Sequence, residues 1–284
     1  MTRRHALSLL ASALPLRAAG LRLPRAGAQT NAWRISNFDD LIAVLARLRN
    51  FGYAAFETSF RNVESQFDSP SAARERIRAA GVEFANVHIW LEQYDPQTRI
   101  APLGLIEKTA HGGAALGASR LVLSGLPCVE SGVLNRAALR AKVAGLHHAA
   151  QVCREAGLRL AYHNEGPEFE HGGLDMAELL KATDPALVGI VLDAGHVFRM
   201  GGQPIEFFLA HHKRIVDIHL RDFRRGQQQI LGDGDFDLTT LARAIHRTRW
   251  NGLLFNEEER LQGVKLGDAA IEPARRAIKK IFGV

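Results

Sequence analysis

The sequence predicts a (β/α)8 barrel, and three observations carry that expectation. Eight short apolar runs alternate with amphipathic stretches along roughly 255 residues, about eight strand–helix units. Several runs are almost continuously apolar and rich in β-branched or aromatic residues, as strands buried on both faces are. Seven of the runs end on polar residues spaced 26 to 39 positions apart, each gap about one strand–helix unit.

In chain order, the first strand is expected at 27–33, with a start reaching back to about residue 26. A helix follows, with Leu41, Leu45 and Leu48 on one face and Gly52 at its exit. Strands at 53–57, 82–88 and 120–124 come next, the last two preceded by Gly81 and Gly117 as helix stops. Asn135 is placed to cap a helix whose Leu139, Val143, Leu146 and Ala150 share a face. Gly157 ends it before a strand at 158–163. Between strands at 188–193 and 215–219, Gln203-Pro204 opens a further helix. The run Gly232-Asp233-Gly234-Asp235 reads as a loop, Asp237 as the cap of a helix over 238–248, and 252–257 as the last strand. Pro273 then lies near the start of the final helix. The competing design is an open doubly wound sheet, but no Gly-x-Gly-x-x-Gly turn follows the first strand.

Composition narrows the function. Of 284 residues, 46% are apolar and 23% charged, which excludes a disordered or fibrous chain. Two cysteines, Cys128 and Cys153, exclude a disulfide framework and leave at most one bridge. No apolar run approaches the ~18 residues of a membrane span. A net charge of +6 invites a nucleic-acid or membrane reading, but the placement of arginines argues otherwise. Arg3-Arg4 precede an apolar stretch at 6–16, and Ala26-Gly27-Ala28 offers a small-x-small cleavage site. This resembles a twin-arginine export signal. Residues 1–28 are therefore expected to be a signal and 29–284 a single barrel domain in the periplasm, or in the cytoplasm if the segment is not a signal. Five arginines and no acid lie in 1–28, so the remainder carries 31 basic against 30 acidic residues, a net charge of +1. No nucleic-acid partner is expected at that charge, and no membrane contact once the signal is removed. The polar segment 223–231 is suited to lining a cleft or to a homo-oligomer contact.

Glu57, His88, Ser124, His163, Asp193, His219 and Glu257 close successive strands, and a barrel gathers such ends on its active face. Asp193, His219 and Glu257 offer two hard oxygen ligands and an imidazole, a set for Mn²⁺, Mg²⁺, Co²⁺ or Zn²⁺, with Mn²⁺ expected first. A fourth ligand comes from His163 or Glu165, or from neither. His196 is placed to donate to a substrate oxygen and Asp222 to orient a ligand or substrate. His88, Glu57 and Trp90 are expected to face the substrate.

Two segments, Leu192-Asp193-Ala194-Gly195-His196 and the run from Arg214 to Asp222 ending His219-Leu220-Arg221-Asp222, resemble the sugar phosphate isomerase/epimerase group of xylose isomerase-like barrels. Ala161-Tyr162-His163-Asn164-Glu165 is similar to that group's Tyr-His-Asn-His strand. Gln29-Thr30-Asn31-Ala32-Trp33 looks like its first strand, and Gly252–Glu257 like its last. The resemblance covers residues 26–284. It implies a divalent metal held from four strand ends and a small sugar or cyclitol as substrate. Carried over by position, Asp193, His219 and Glu257 match three ligands, while His163 and Glu165 depart from the usual pattern at the fourth. The chemistry implied is proton abstraction beside a carbonyl, through a metal-stabilised enediolate, with Glu257 and Glu165 as candidate bases. An isomerase or epimerase is the first expectation and a dehydratase or lyase on a keto-sugar or inosose the second. A non-catalytic carbohydrate-binding barrel is the third. A DNA-repair nuclease of the same barrel type is disfavoured, because strand four ends in Ser124 and no Asp-x-His occurs in 232–237.

Overall fold

The computed structural model describes residues 23–261, 264–265 and 267–284. The export segment expected at the N-terminus lies almost wholly outside the described residues. Eight parallel strands close into a barrel: β1 (Arg25–Gln29), β2 (Ala55–Ser59), β3 (Glu83–Ile89), β4 (Arg120–Leu123), β5 (Arg159–His163), β6 (Val188–Asp193), β7 (Ile215–Leu220) and β8 (Leu253–Asn256). Each pairs with its sequence neighbours, and β1 closes the ring against β8. The helices are α1 (Phe38–Phe51), α2 (Pro70–Ala80), α3 (Leu103–Leu116), α4 (Arg136–Glu155), α5 (Glu170–Ala182), α6 (Ala194–Arg199), α7 (Pro204–His211), α8 (Leu238–Thr248) and α9 (Asp268–Phe282).

The expected boundaries hold to within two residues except at the first strand. β1 starts earlier and stops at Gln29, because the Gln29 side chain accepts the Asn31 N–H (2.7 Å) and turns the chain into a short 3₁₀ helix. Ala26 and Ala28 are buried within this strand, so a cut after Ala28 would remove four of its five residues. Asn135 and Asp237 cap α4 and α8 as their spacing predicts, accepting from Ala138 and Thr240. α6 was not foreseen: a single turn and a half, it starts directly from the last residue of β6. Cys128 and Cys153 are both buried and free, so no bridge forms between them.

Along each strand the side chains alternate between the outer helices and the barrel interior. Leu254 and Ile218 pack outward, for example, while Phe255 and His219 point in. Gly27 is required inside: a Cβ there would stand 2.6 Å from the Phe255 ring. The interior holds two small apolar clusters, Ala55, Ala85, Leu253 and Phe255, and Val122, Ala161 and Val191. Beside them Asn86 bridges Glu57 (2.9 Å) and Asp217 (3.0 Å), and Arg120 reaches Asp217 (3.3 Å). Above this packed floor, the C-terminal strand ends bring polar side chains to a cavity.

Candidate active site

That cavity has a volume of about 540 Å³ and is walled by residues from the ends of β1, β2, β3, β5, β7 and β8. At its base the donor atoms of His163, Asp193, His219 and Glu257 all lie within 4.8 Å of one another, and all four residues are buried. Each is delivered by the inward alternation of a different strand. β5 supplies His163 and β6 Asp193; β7 supplies His219, and Glu257 follows β8 directly.

Asp193 divides its two oxygens between fold and site. Its Oδ1 accepts the His196 N–H (2.8 Å) and so caps α6. Its Oδ2 faces the cluster, 3.7 Å from His163 Nε2 and 3.6 Å from His196 Nε2. These distances exceed hydrogen-bond reach, and His163 Nε2 is a buried atom with no partner. A buried imidazole nitrogen without a partner is costly in a folded interior. A divalent ion would satisfy it, and two imidazoles with two carboxylates form a fitting donor set.

Glu57 does not reach the cavity. It is fully buried beneath the cluster, where its carboxylate accepts from His88 Nδ1 (2.9 Å) and contacts His219 Nε2 (3.1 Å). Its expected contact with substrate is thus corrected to an orienting one, leaving His219 Nδ1 turned to Glu257 Oε2 (2.5 Å). Asp222, expected to orient a ligand or substrate, holds a loop instead. Both its oxygens are consumed by backbone N–H groups of Phe223, Gly232, Gly234 and Phe236. His88 does line the cavity, with its Nε2 on Ser124 (3.0 Å), and Trp90, 48% exposed, stands at the mouth.

Glu165, just beyond β5, also faces the cavity and retains partial exposure. Its oxygens approach His163 Nδ1 (3.4 Å) and His196 Nε2 (3.5 Å), both loosely. Glu257 is held far more tightly. Asn31 (3.0 Å) and Arg221 (2.8 Å) take Oε1, and His219 takes Oε2.

Arg221 is the residue that sequence reasoning missed. Only 3% exposed, it spans Asp193 (2.6 Å), Glu257 (2.8 Å) and Glu259 (3.1 Å). Its position two beyond His219 puts it on the same inward face of β7, a signal available from alternation alone.

The charges set one another. Burial alone would raise the carboxyl pKa of Glu257, but Arg221 and His219 bring it down to about 2. Glu165 likewise falls to about 2 against its burial, through His163, His196 and Arg221. His163 rises to about 9 although burial opposes its charge, because Asp193 and Glu165 favour the imidazolium. His219 is pushed well above its ordinary range by Glu57 and Glu257, again against burial. His196 differs: burial is its largest influence and holds it below the usual value, hence neutral near pH 7.

A closed (β/α)8 barrel with a four-donor cluster at its C-terminal rim defines the class of fold. The chain belongs to the xylose isomerase-like TIM barrel family, whose model matches residues 45–281. It is 29% identical over 136 residues to an inosose dehydratase of Geobacillus kaustophilus. That match covers 41% of this chain and 44% of the dehydratase, so the chain spans under half the length of the curated relatives it matches. Among solved structures it resembles a sugar phosphate isomerase/epimerase of Parabacteroides distasonis (TM-score 0.71, 18% identity, 92% of this chain and 98% of that one). It also resembles the IOLI protein with a bound zinc atom (TM-score 0.73, 18% identity, 91% and 98%). At these identities the structural likeness speaks for the fold.

Proposed function

We propose that this protein is a metal-dependent enzyme that removes a proton beside the carbonyl of a keto-cyclitol or keto-sugar and expels a β-hydroxyl as water. The carrying observation is the pairing of the His163, Asp193, His219 and Glu257 cluster, with its unpartnered His163 Nε2, and an open carboxylate, Glu165, in the same cavity. A divalent ion held by the four would polarise the substrate carbonyl and offset the charge that builds on its oxygen.

The chain's own residues do the rest. Glu165 is ionised and exposed to the cavity, so it takes the α-proton. Glu165 then passes that proton to the departing β-hydroxyl, which leaves as water, while His196, neutral and beside Glu165, hydrogen-bonds the leaving oxygen. Arg221 keeps Asp193 and Glu257 ionised and fixed. Because Glu257 has both oxygens engaged, a two-base epimerisation is less well served than a one-base reaction. Isomerisation of a sugar, in which Glu165 alone shuttles the proton between adjacent carbons, is the second reading. The inosose dehydratase relative favours elimination. Export through the segment ahead of β1 belongs to the same proposal, and fractionation of cells expressing the full chain tests it.

The enzymatic test is incubation of metal-loaded protein with an inosose and a panel of keto-sugars in D2O. Deuterium should enter at the α-carbon, with loss of water marking elimination and its retention marking isomerisation. Glu165→Gln should slow exchange by about 10³-fold at unchanged metal content. Absence of exchange with every substrate, or wild-type exchange by Glu165→Gln, would sink the reading.

A further inference from the structure

Behind β5, outside the cavity, lies a second buried ionic cluster. Lys142 of α4 and Glu168, in the 3₁₀ turn Gly166–Phe169 after β5, form an ion pair (2.8 Å) with both side chains fully buried. Lys142 Nζ also donates to the Leu126 carbonyl (2.8 Å) and sits 4.6 Å from the centre of the Tyr162 ring. The Tyr162 hydroxyl donates to the same Glu168 Oε1 (2.5 Å). The other oxygen, Glu168 Oε2, accepts the backbone N–H of Glu165 (2.9 Å).

Stability alone does not account for this arrangement. Withdrawing a lysine and a glutamate from water is expensive, and a matched apolar pair is often as stable or more so. The ion pair instead has an output. Glu168 grips Tyr162, the residue before His163, with one oxygen and Glu165, two residues after it, with the other. The segment carrying His163 and Glu165 is thereby clamped at both ends by one carboxylate, which Lys142 holds in place.

We propose that Lys142, Glu168 and Tyr162 form a positioning device that sets the Glu165 carboxylate against His163 and His196. None of the three lines the cavity, so they act through Glu165 rather than on substrate. The inference rests on the proposed role of Glu165 as the base.

Two double variants isolate the contact, since each removes both buried charges and so avoids stranding one. Lys142→Met with Glu168→Gln keeps an oxygen for the Glu165 N–H. Lys142→Met with Glu168→Leu removes it. Using deuterium exchange into an inosose, the Met/Gln protein, which keeps the acceptor and loses only the Lys142 anchor, should exchange within about tenfold of wild type. The Met/Leu protein should lose about 100-fold in kcat at little-changed KM, the size of effect that a misplacement of about 1 Å produces. Metal content should be alike in the two, while Met/Leu should melt lower because the Tyr162 hydroxyl and the Glu165 N–H lose their acceptor, so rates are compared well below both transitions. Equal rates in both variants, or a Met/Leu loss that falls on KM or metal content rather than kcat, would overturn the proposal. Should wild type exchange no substrate, crystal structures of the two variants decide the same question. Glu165 should leave its place near His163 and His196 in Met/Leu and keep it in Met/Gln. An unmoved Glu165 in Met/Leu would refute the device independently of any activity.

Discussion

The ends of β6 and β7 carry near-mirror motifs, Asp193-x-x-His196 and His219-x-x-Asp222, yet their two aspartates do opposite work. Asp193 gives one oxygen to the N–H of His196 and turns the other to the cavity cluster, where it also accepts from Arg221. Asp222 gives both oxygens to four backbone N–H groups and ties the 230s loop to the strand end. Both are buried acids within three residues of a histidine, so neither burial nor motif distinguishes them. What separates them is whether an oxygen is left over once the backbone is satisfied. Function resides in the remaining valence of a buried polar group.

The strongest way to break this comparison is Asp193→Asn. The amide oxygen still caps α6, but the anionic donor is gone. Metal affinity should fall by more than ~100-fold, about 3 kcal/mol or more, with turnover lost, and Tm should fall as well, because Arg221 loses a buried carboxylate partner. His219→Ala should do the same to metal content. Elemental analysis beside a thermal melt measures both, and a fully loaded Asp193→Asn protein would remove Asp193 from the site.

Proton competition sharpens the same point. Without metal, His163 titrates near pH 9, and His219 lies well above its ordinary value, so both are imidazolium at neutral pH. Each must shed its proton to become a ligand. Affinity should therefore weaken as pH falls below about 9, log Kd changing by about one per unit from His163 and by more where His219 also releases a proton. Calorimetric titrations in buffers of different ionisation enthalpy would count the released protons. A pH-independent Kd would exclude both imidazoles from the ligand set.

The barrel and the convergence of its polar strand ends were legible because both rest on periodicity, whereas the sequence leaves the fourth donor, His163 or Glu165, open. Two-residue alternation aims His163, Asp193 and His219 inward, and the strand–helix repeat brings their ends together. The destinations of Glu57 and Asp222 were not legible. Glu57 sits where the β2–β3 register shifts, between Phe56 and Glu57, and it points beneath the cluster to His88 and His219. Asp222 meets N–H groups supplied by a loop ten and more residues away, a partnership no local pattern records. Arg221 lay within reach of alternation, but a cation among expected metal ligands did not fit a reading built on acids and imidazoles.

Asp222→Asn tests the other half of the comparison and should have the smaller effect on chemistry. An amide offers one acceptor oxygen, so two of the four N–H groups lose their partner and face an NH2 instead. The cost should be about 2–4 kcal/mol, a Tm lower by about 5–10 °C, followed by thermal melting. Metal affinity should stay within about twofold of wild type, because no donor of the cluster is touched. The contrast can still fail by one route. The hairpin that begins at Asp222 carries Gln228, whose side chain donates to the Glu257 carbonyl (3.2 Å). Metal affinity falling together with Tm would mean that the hairpin transmits order to Glu257. Asp222 would then belong to the site at one remove, and the division between its role and that of Asp193 would be one of distance rather than kind.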